Sequence, residues 1–379
     1  MNRGIVISGI KRWLIRRLSG TDVKRAFDRE RVRQILVLRY DRIGDMVVTT
    51  PLIRALSNGF QNSSINVLCS RVNEPILRGN RFVHRTIIYK PSALQMFRLI
   101  LRYRSHFDLI VDLNHSVIWH DLVLIRLLRP LYAASVHKEG RYGIRGLDLS
   151  LYQVMGVHPV NNPPRPIARF YLELAAQLTG QENFADLTYD LTESTKGRKR
   201  LREAYQLRPN HKLVLINAHG GRPTMSMGYD DFLAVTSQVL ECQSDAVVCW
   251  LNTRETKPAL SELLDRIRRN KRWQPDLSTG RLFLWQPRDT IEELISFVAD
   301  ASLLITPDTS LVHIAAAFKV PTVAIYANEP ELFAQWAPES PVFFSMFSAN
   351  SKSLLGYDPR ELRERVDQAL GSISPSNTH

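Results

Sequence analysis

Two polar loops, each directly after a short apolar run, constrain the fold of this chain more than any other feature. The first loop, 39–45, follows the apolar run 34–38, and the second, 306–313, follows the run 302–305. Apolar runs of this length are typical of buried parallel strands, and a helical pattern follows each loop. Open α/β sheets bind ligands in loops at the carboxyl ends of their strands. The sequence therefore predicts two half-sites, far apart in the chain, that meet across a cleft.

Strand and helix patterns alternate along both halves of the chain, which favours two parallel α/β sheets in facing lobes. Strands are predicted at 34–40, 64–70, 85–89, 107–113, 212–218, 246–251, 281–285, 302–306 and 321–326. Helices are predicted at 51–59, 93–104, 117–129, 167–179, 229–242, 258–270, 290–300, 309–318 and 358–370. The polar stretch 181–198 is the candidate linker. The predicted organisation is a basic segment (1–33), a first lobe (34–190), a second lobe (199–350) and a C-terminal helix and tail (351–379) able to return to the first lobe.

The composition narrows the class of protein. The 379 residues are 44% hydrophobic, as in a soluble globular protein, and no run approaches the ~20 apolar residues of a membrane span. Three cysteines without paired spacing predict a reducing compartment, and no cluster has the spacing of a zinc or calcium site. The net charge of +13 favours an acidic partner, namely nucleic acid, an anionic membrane or a phosphorylated substrate. The arginines are scattered, which argues against nucleic acid.

The first 20 residues are basic and patchily amphipathic. Apolar residues recur near helical spacing, with basic residues between them: Ile10, Trp13, Leu14 and Leu18 with Lys11, Arg12, Arg16 and Arg17. A helix of this kind can lie on an anionic bilayer, or it can dock on its own domain. The sequence leaves both interpretations open.

The front loop offers a candidate general base. Gly44 allows a tight turn or a close ligand approach, and Asp45 follows it near the start of a helix. A carboxylate in this position can accept a proton from a substrate hydroxyl, or it can simply cap the helix. Asp41 lies between Arg39 and Arg42, so an ion pair is its predicted role.

The back loop has the features of an anion-binding site. Asp308 ends a strand, Thr309 and Ser310 open a helix whose amino end attracts phosphate, and His313 lies one turn further on. His313 is either a site residue or a buried histidine with satisfied hydrogen bonds.

A third loop, after the strand 212–218, contains Gly220, Gly221 and Arg222. Paired glycines beside an arginine suit a diphosphate, although glycine pairs also form ordinary turns. No GxGxxG or Walker motif is present, which argues against a dehydrogenase or a P-loop ATPase.

These motifs together resemble the ADP-heptose:lipopolysaccharide heptosyltransferase family, glycosyltransferase family 9. The block 35–56 resembles the family's opening motif, 306–324 its donor-binding motif, and 107–113 a further strand. The resemblance extends from about residue 33 to 345.

The resemblance implies two Rossmann-like lobes in the GT-B arrangement, an inverting mechanism and no metal or cofactor. It implies that Asp45 is the general base, that Asp308, Thr309 and Ser310 hold the nucleotide-sugar, and that His313 matches a motif histidine. Two positions depart from the family pattern. Ser310 stands where many members have glycine, and 227–229 reads Met-Gly-Tyr where many have a Lys-Trp pair, so Arg222 is the candidate substitute for a donor-phosphate lysine.

We therefore expect an inverting glycosyltransferase at the cytoplasmic face of the bacterial inner membrane. It would transfer a sugar, heptose by resemblance, from a nucleotide-diphosphate sugar such as ADP-heptose to a phosphorylated glycolipid such as the lipopolysaccharide core. The alternatives are a nucleotide-sugar epimerase of the same architecture and a non-catalytic protein that binds a nucleotide-sugar or nucleic acid. Nucleotide release that depends on an acceptor separates the three.

Overall fold

A computed structural model divides the chain into two compact units, residues 1–192 and 193–379. It describes residues 13, 17, 26–139, 141, 146, 149–156, 165–181, 184, 186–285 and 290–373. The boundary between the units falls inside the predicted linker 181–198. The amphipathic helix expected in residues 1–20 lies outside the described residues, apart from residues 13 and 17.

The first unit contains a parallel sheet of six strands in the order β3-β2-β1-β4-β5-β6. The strands are β1 Gln34–Leu38, β2 Ser64–Cys69, β3 Arg85–Ile88, β4 Leu109–Asp112, β5 Tyr132–Ser135 and β6 Val154–Met155. Its helices are α1 Ile43–Val47, α2 Thr50–Gly59, α3 Ala93–Tyr103, α4 Trp119–Leu128 and α5 Ile167–Thr179. Short 3-10 turns occupy Arg29–Arg31 and Glu74–Leu77.

The second unit repeats this topology with a parallel sheet in the order β12-β11-β10-β7-β8-β9. Its strands are β7 Lys212–Asn217, β8 Ala246–Leu251, β9 Leu282–Leu284, β10 Leu303–Pro307, β11 Thr322–Tyr326 and β12 Phe343–Phe347. The helices are α6 Thr195–Ala204, α7 Tyr229–Cys242, α8 Lys257–Arg268, α9 Gln274–Ser278, α10 Ile291–Ala299, α11 Ser310–Ala317, α12 Pro330–Trp336 and α13 Pro359–Ser372. A 3-10 turn covers Pro223–Met225.

The predicted α/β class with two parallel sheets is confirmed. Every strand and helix predicted from sequence is present within a few residues, whereas several short elements were missed: β5, β6, β12, α1, α6, α9 and α12. Among the described residues, no helix is both long enough and apolar enough to cross a membrane.

The strand order brings the functional loops together within each unit. In the first sheet β1 is paired with β2 and β4, so the order of strands along the chain reverses between β1 and β4. In the second sheet β10 lies between β7 and β11, which makes the same reversal. Ligands of doubly wound sheets bind at this switch point, outside the carboxyl ends of the two central strands. The candidate ligand-binding loops are therefore those after β1 and β4 in the first unit and those after β7 and β10 in the second.

The C-terminal helix α13 packs on the second unit. It contacts α7, β11 and β12. Two hydrogen bonds reinforce this packing: Tyr357 donates to Asp231 Oδ2 at 2.6 Å, and Gln238 Nε2 donates to Asp367 Oδ1 at 2.7 Å.

Close packing of α2 on α5 requires glycine at position 59. A Cβ atom there would lie 2.1 Å from Thr179 Cγ2, whereas a Cβ atom at Gly371 in α13 would meet nothing within 4 Å.

We expect Gly59→Ala to lower the free energy of unfolding of the first unit by about 1–3 kcal/mol, because the buried Thr179 must move. Gly371→Ala, the matched helical control, should be neutral or stabilising by up to about 1 kcal/mol. Scanning calorimetry measures both, and an unchanged transition for Gly59→Ala would contradict the packing argument.

Candidate active site

Arg39 organises the carboxyl edge of the first sheet. It follows β1, and its side chain is only 2% exposed. Its Nε donates to Thr49 Oγ1 at 2.9 Å, Nη1 donates to Asp41 Oδ2 at 2.9 Å, and Nη2 donates to the hydroxyl of Tyr171 in α5. Burial alone would lower the pKa of Arg39, but Tyr171 and the nearby carboxylates outweigh it and raise that pKa, so the guanidinium stays charged. One buried cation thus connects the front loop, the start of α2 and α5.

Asp45 lies in the first turn of α1, beside this cation. Its side chain is 15% exposed, and its Oδ1 lies 4.0 Å from Arg39 Nη1. Burial raises the pKa of Asp45 to about 6, with Arg39 acting in the opposite direction and Asp41 adding to the increase. Thr49 Oγ1 donates to the backbone carbonyl of Asp45 at 2.7 Å, which fixes the end of this short helix. A carboxylate with a pKa near 6 is a better proton acceptor than an ordinary aspartate and is still ionised at neutral pH.

The other front-loop residues have simpler roles. Asp41 forms the ion pair with Arg39 that the sequence predicts, whereas Arg42 is exposed at the N-cap of α1. Gly44 lies within α1 and is not among the glycines with positive φ. The N-cap position belongs to Arg42, so Asp45 is placed inside the helix rather than at its cap.

A second buried polar cluster at the same edge was missed by sequence reasoning. Asp112, the last residue of β4, forms a 2.8 Å ion pair with Lys138, and both side chains are almost fully buried. Tyr152 donates to Asp112 Oδ2 at 2.7 Å, and the backbone amide of Asn114 donates to Oδ1 at 3.0 Å. Removing one partner of such a pair would leave an uncompensated buried charge, so the cluster holds the loops after β4 and β5 in place. The only signal in the sequence is an aspartate that ends an apolar strand.

Two further groups join the clusters into one network. Asp121 in α4 accepts hydrogen bonds from the Tyr40 hydroxyl and from Asn114 Nδ2, and burial followed by Asp112 raises its pKa to about 7. His115 Nε2 lies 3.3 Å from the Tyr171 hydroxyl. Burial, with Arg39 and Lys138, lowers the pKa of His115 to about 3. His115 is therefore a neutral imidazole at neutral pH.

In the second unit, the predicted back loop lies at the carboxyl end of β10. Thr309 is the N-cap of α11, and its hydroxyl accepts a hydrogen bond from the amide of Leu311 at 3.3 Å. Asn217, at the end of β7, donates to Thr306 Oγ1 at 3.0 Å, and that oxygen lies 3.3 Å from Thr309 Oγ1. Asp308, Thr309 and Ser310 are all half-buried. Side chains thus connect the ends of β7 and β10, and helix α11 begins beside them.

His313 is buried in α11, where burial lowers its pKa to about 4. It is therefore neutral at physiological pH and contributes no fixed positive charge to this loop. The structure places His313 one turn into α11 with a buried side chain, and its role as a site residue stays a prediction.

The two glycines of the third loop differ in their surroundings. A Cβ atom at Gly220 would lie 2.1 Å from the backbone oxygen of Met225, whereas one at Gly221 would meet nothing within 4 Å. Gly220 is therefore required for the loop to fold on itself. Arg222 is exposed at the N-cap of the 3-10 turn Pro223–Met225.

Comparison with known proteins agrees with the two-sheet architecture. The model of glycosyltransferase family 9 (heptosyltransferase) matches residues 102–353. The chain is 23% identical over 381 residues to lipopolysaccharide heptosyltransferase 3 of Escherichia coli. This alignment covers 88% of this chain and 97% of that protein. The structure of E. coli ADP-heptose lps heptosyltransferase II aligns with a TM-score of 0.67 at 18% identity, covering 89% of this chain and 98% of the other.

A further solved structure, E. coli heptosyltransferase WaaC with ADP-2-deoxy-2-fluoro heptose, aligns with a TM-score of 0.64 at 13% identity over 88% of this chain and 99% of that one. The fold is therefore that of the GT-B heptosyltransferases, and the chain belongs to glycosyltransferase family 9. It is a glycosyltransferase of the heptosyltransferase type. The family match contains β4, Lys138 and the back loop but begins after the front loop, so the case for Asp45 comes from its own surroundings.

Gly220 and Gly221 allow a matched test of how tightly the third loop is packed. Gly220→Ala should reduce the free energy of unfolding of the second unit by about 1–3 kcal/mol, because the new methyl group meets backbone that cannot rotate away. Gly221→Ala should change it by less than about 0.5 kcal/mol. Denaturant unfolding of both variants measures the difference, and equal stabilities would show that the loop relaxes without cost.

Proposed function

We propose that this chain is an inverting heptosyltransferase of lipopolysaccharide biosynthesis. It would transfer heptose from ADP-heptose to a hydroxyl of a phosphorylated core glycolipid, without a metal or other cofactor, while associated with the cytoplasmic face of the inner membrane. Two relatives support this donor and acceptor, since one is a lipopolysaccharide heptosyltransferase and the other was solved with an ADP-heptose analogue.

One observation carries the catalytic part of the proposal. Asp45 is a largely buried carboxylate with a pKa raised to about 6, at the carboxyl edge of the first sheet and 4.0 Å from the Arg39 guanidinium. Burial makes the carboxylate more basic, and Arg39 keeps enough of it ionised to act at neutral pH. Asp41 is already paired with Arg39 at 2.9 Å and is less suited to receive a proton.

The proposed reaction is a single displacement. Asp45 accepts the proton of the acceptor hydroxyl, and the oxygen attacks the anomeric carbon on the face opposite the diphosphate. The bond from the anomeric carbon to the diphosphate breaks, so that ADP leaves and the configuration inverts. Backbone amides at the start of α11 and the exposed guanidinium of Arg222 would stabilise the charge that develops on the diphosphate.

The donor is proposed to bind at the carboxyl ends of β7 and β10. Asp308 is suited to accept hydrogen bonds from hydroxyl groups of the nucleotide-sugar, and Thr309 and Ser310 can present hydroxyls and amides to its phosphates. His313, neutral in this environment, would contribute packing or a hydrogen bond rather than charge.

The two rival functions remain testable. An epimerase would release nucleotide from the sugar donor without any acceptor, and a binding protein would release none. Membership of a glycosyltransferase family favours transfer. Mass measurement of products, with ADP-heptose and truncated core acceptors supplied together or singly, separates the three outcomes.

Asp45→Asn should lower the turnover number by about 10²–10⁴-fold, since the amide retains the shape of the side chain but cannot accept the proton. Wild-type turnover should rise with pH up to about pH 6 and then level off, because the base works only when ionised; the variant should lack this limb. Steady-state kinetics from pH 5 to 8 measure both effects.

Asp41→Asn is the matched control for that experiment. It removes a negative charge that raises the pKa of Asp45, so the limb should move below pH 6 while turnover at pH 7.5 stays within a few-fold of wild type. Near wild-type turnover in Asp45→Asn would show that Asp45 is not the general base, and Asp41 would become the candidate.

Asp308→Ala and Thr309→Ala should each weaken ADP-heptose binding by about ten- to a hundredfold, corresponding to loss of one hydrogen bond to a charged group, ~1.5–3 kcal/mol. Thr309→Ser retains the hydroxyl that caps α11 and should bind like wild type. Titration calorimetry provides the affinities. If both alanine variants fold and bind with wild-type affinity, the donor site lies elsewhere.

A further inference from the structure

The outward face of α3 exposes large apolar side chains that the fold does not use. Leu94, Phe97 and Leu101 are 59%, 58% and 69% exposed. They are spaced by three and four residues, so they lie in one stripe along the helix. Isolated exposed leucines are common on protein surfaces, but a stripe of three large residues indicates an interaction surface.

The opposite face of the same helix already supplies the core. Leu99 and Tyr103 are buried in the core of the first unit, with Met96 and Ile100 packed against it. The helix is therefore apolar on both sides, and its packing within the unit does not account for the outer stripe. A helix with both faces apolar is expected where a second apolar environment covers the outer one.

The charged side chains of the chain segment that contains the stripe are all basic. From residue 85 to 107 the chain has five basic residues and no aspartate or glutamate. Arg98 and Arg102 are exposed on the same side of α3 as the stripe, and Lys90 and Arg104 are exposed near its two ends. Within the part of the chain that the structure describes, none of these four makes an ion pair with a carboxylate.

We propose that the outer face of α3, defined by Leu94, Phe97 and Leu101 with Arg98 and Arg102, docks on an anionic bilayer surface. The inference deepens the proposed function, which requires a glycolipid acceptor held in a membrane. Apolar side chains would enter the boundary between headgroups and acyl chains, and the arginines would contact anionic headgroups. An 11-residue helix is about 16 Å long, so it would lie along the surface rather than span the bilayer.

The charge pattern selects a membrane over a second copy of this chain. A two-fold symmetric dimer through α3 would bring the same patch of each copy together and oppose arginine with arginine. Like charges across an interface are unfavourable, and no acidic residue of the segment 85–107 is available to compensate them. An anionic lipid surface offers both an apolar layer and opposite charge.

The test is flotation of the full-length protein with vesicles of phosphatidylcholine containing phosphatidylglycerol, compared with phosphatidylcholine alone. Wild type should float with the anionic vesicles, and less so at high salt because surface charges are screened. Leu101→Glu should lower the partition coefficient at least tenfold, since it removes an inserted side chain and adds a repelled charge. The matched control is Leu355→Glu, because Leu355 is 68% exposed in the second unit; it should float like wild type.

Two double variants test whether the arginines of α3 contribute to vesicle binding. Arg98→Gln with Arg102→Gln should weaken flotation about tenfold or more and reduce its salt dependence. Arg266→Gln with Arg269→Gln removes the same charge from exposed positions of the second unit and should have little effect. Equal losses in the two pairs would show that net charge alone drives binding and would overturn the role of α3.

Three other outcomes would also refute the proposal: wild type that stays off anionic vesicles, Leu101→Glu that floats like wild type, and a wild-type dimer in light scattering that Leu101→Glu dissociates. Transfer to a lipid-free truncated acceptor separates this inference from the proposed function. Leu101→Glu should retain turnover there, because α3 lies outside the proposed catalytic residues. Vesicle binding that depends on α3 in a protein without transferase activity would support the docking surface and reject the proposed reaction.

Discussion

The buried guanidinium of Arg39 is the interaction on which the rest of the first unit's site depends. It is 2% exposed at the end of the central strand β1. A buried charge is tolerated only when its donors are occupied, and here Thr49, Asp41 and Tyr171 each accept from a different nitrogen. Because these partners come from the front loop, the start of α2 and α5, the cation fixes the edge of the sheet and sets the electrostatic environment of Asp45.

Asp45 is unusually basic because Asp41 and Asp45 compete for the Arg39 guanidinium. Arg39 Nη1 lies 2.9 Å from Asp41 but 4.0 Å from Asp45, so Asp41 takes the direct ion pair. Asp45 is then left with a more distant attraction to Arg39, the repulsion of Asp41 and the cost of burial, and burial is the largest of these effects. An aspartate placed directly against Arg39 would be a weak base, whereas one exposed to water would retain its ordinary pKa. In the second unit, the start of α11 presents backbone amides and the hydroxyls of Thr309 and Ser310, which suit an anion.

The sequence predicted what short-range patterns can encode. Long apolar strands, amphipathic helices and the Asp41–Arg39 ion pair depend on residues close together in the chain. The strand β5, with the sequence Tyr-Ala-Ala-Ser, and the two-residue β6 have too little pattern to be recognised. The network around Asp121 was hidden for another reason, since its hydrogen bond from Tyr40 joins residues 81 positions apart. Only the pairing of β1 with β4 brings such residues to one edge of the sheet. Polar residues at strand ends were therefore predictable, whereas partners distant in the chain were not.

The basic residues of this chain serve two different physical purposes, which the net charge conceals. Arg39 is neutralised by its own protein. Arg54 is likewise paired, donating to Asp190 at 2.6 Å and to backbone carbonyls near the end of the first unit. Arg98 and Arg102 are one helical turn apart, closer than the ~8 Å over which physiological salt screens a charge, so their potentials add at the surface. In water, the repulsion between these arginines and the exposure of the neighbouring leucine and phenylalanine side chains both cost stability. Contact with an anionic and apolar surface outside the protein would offset both costs.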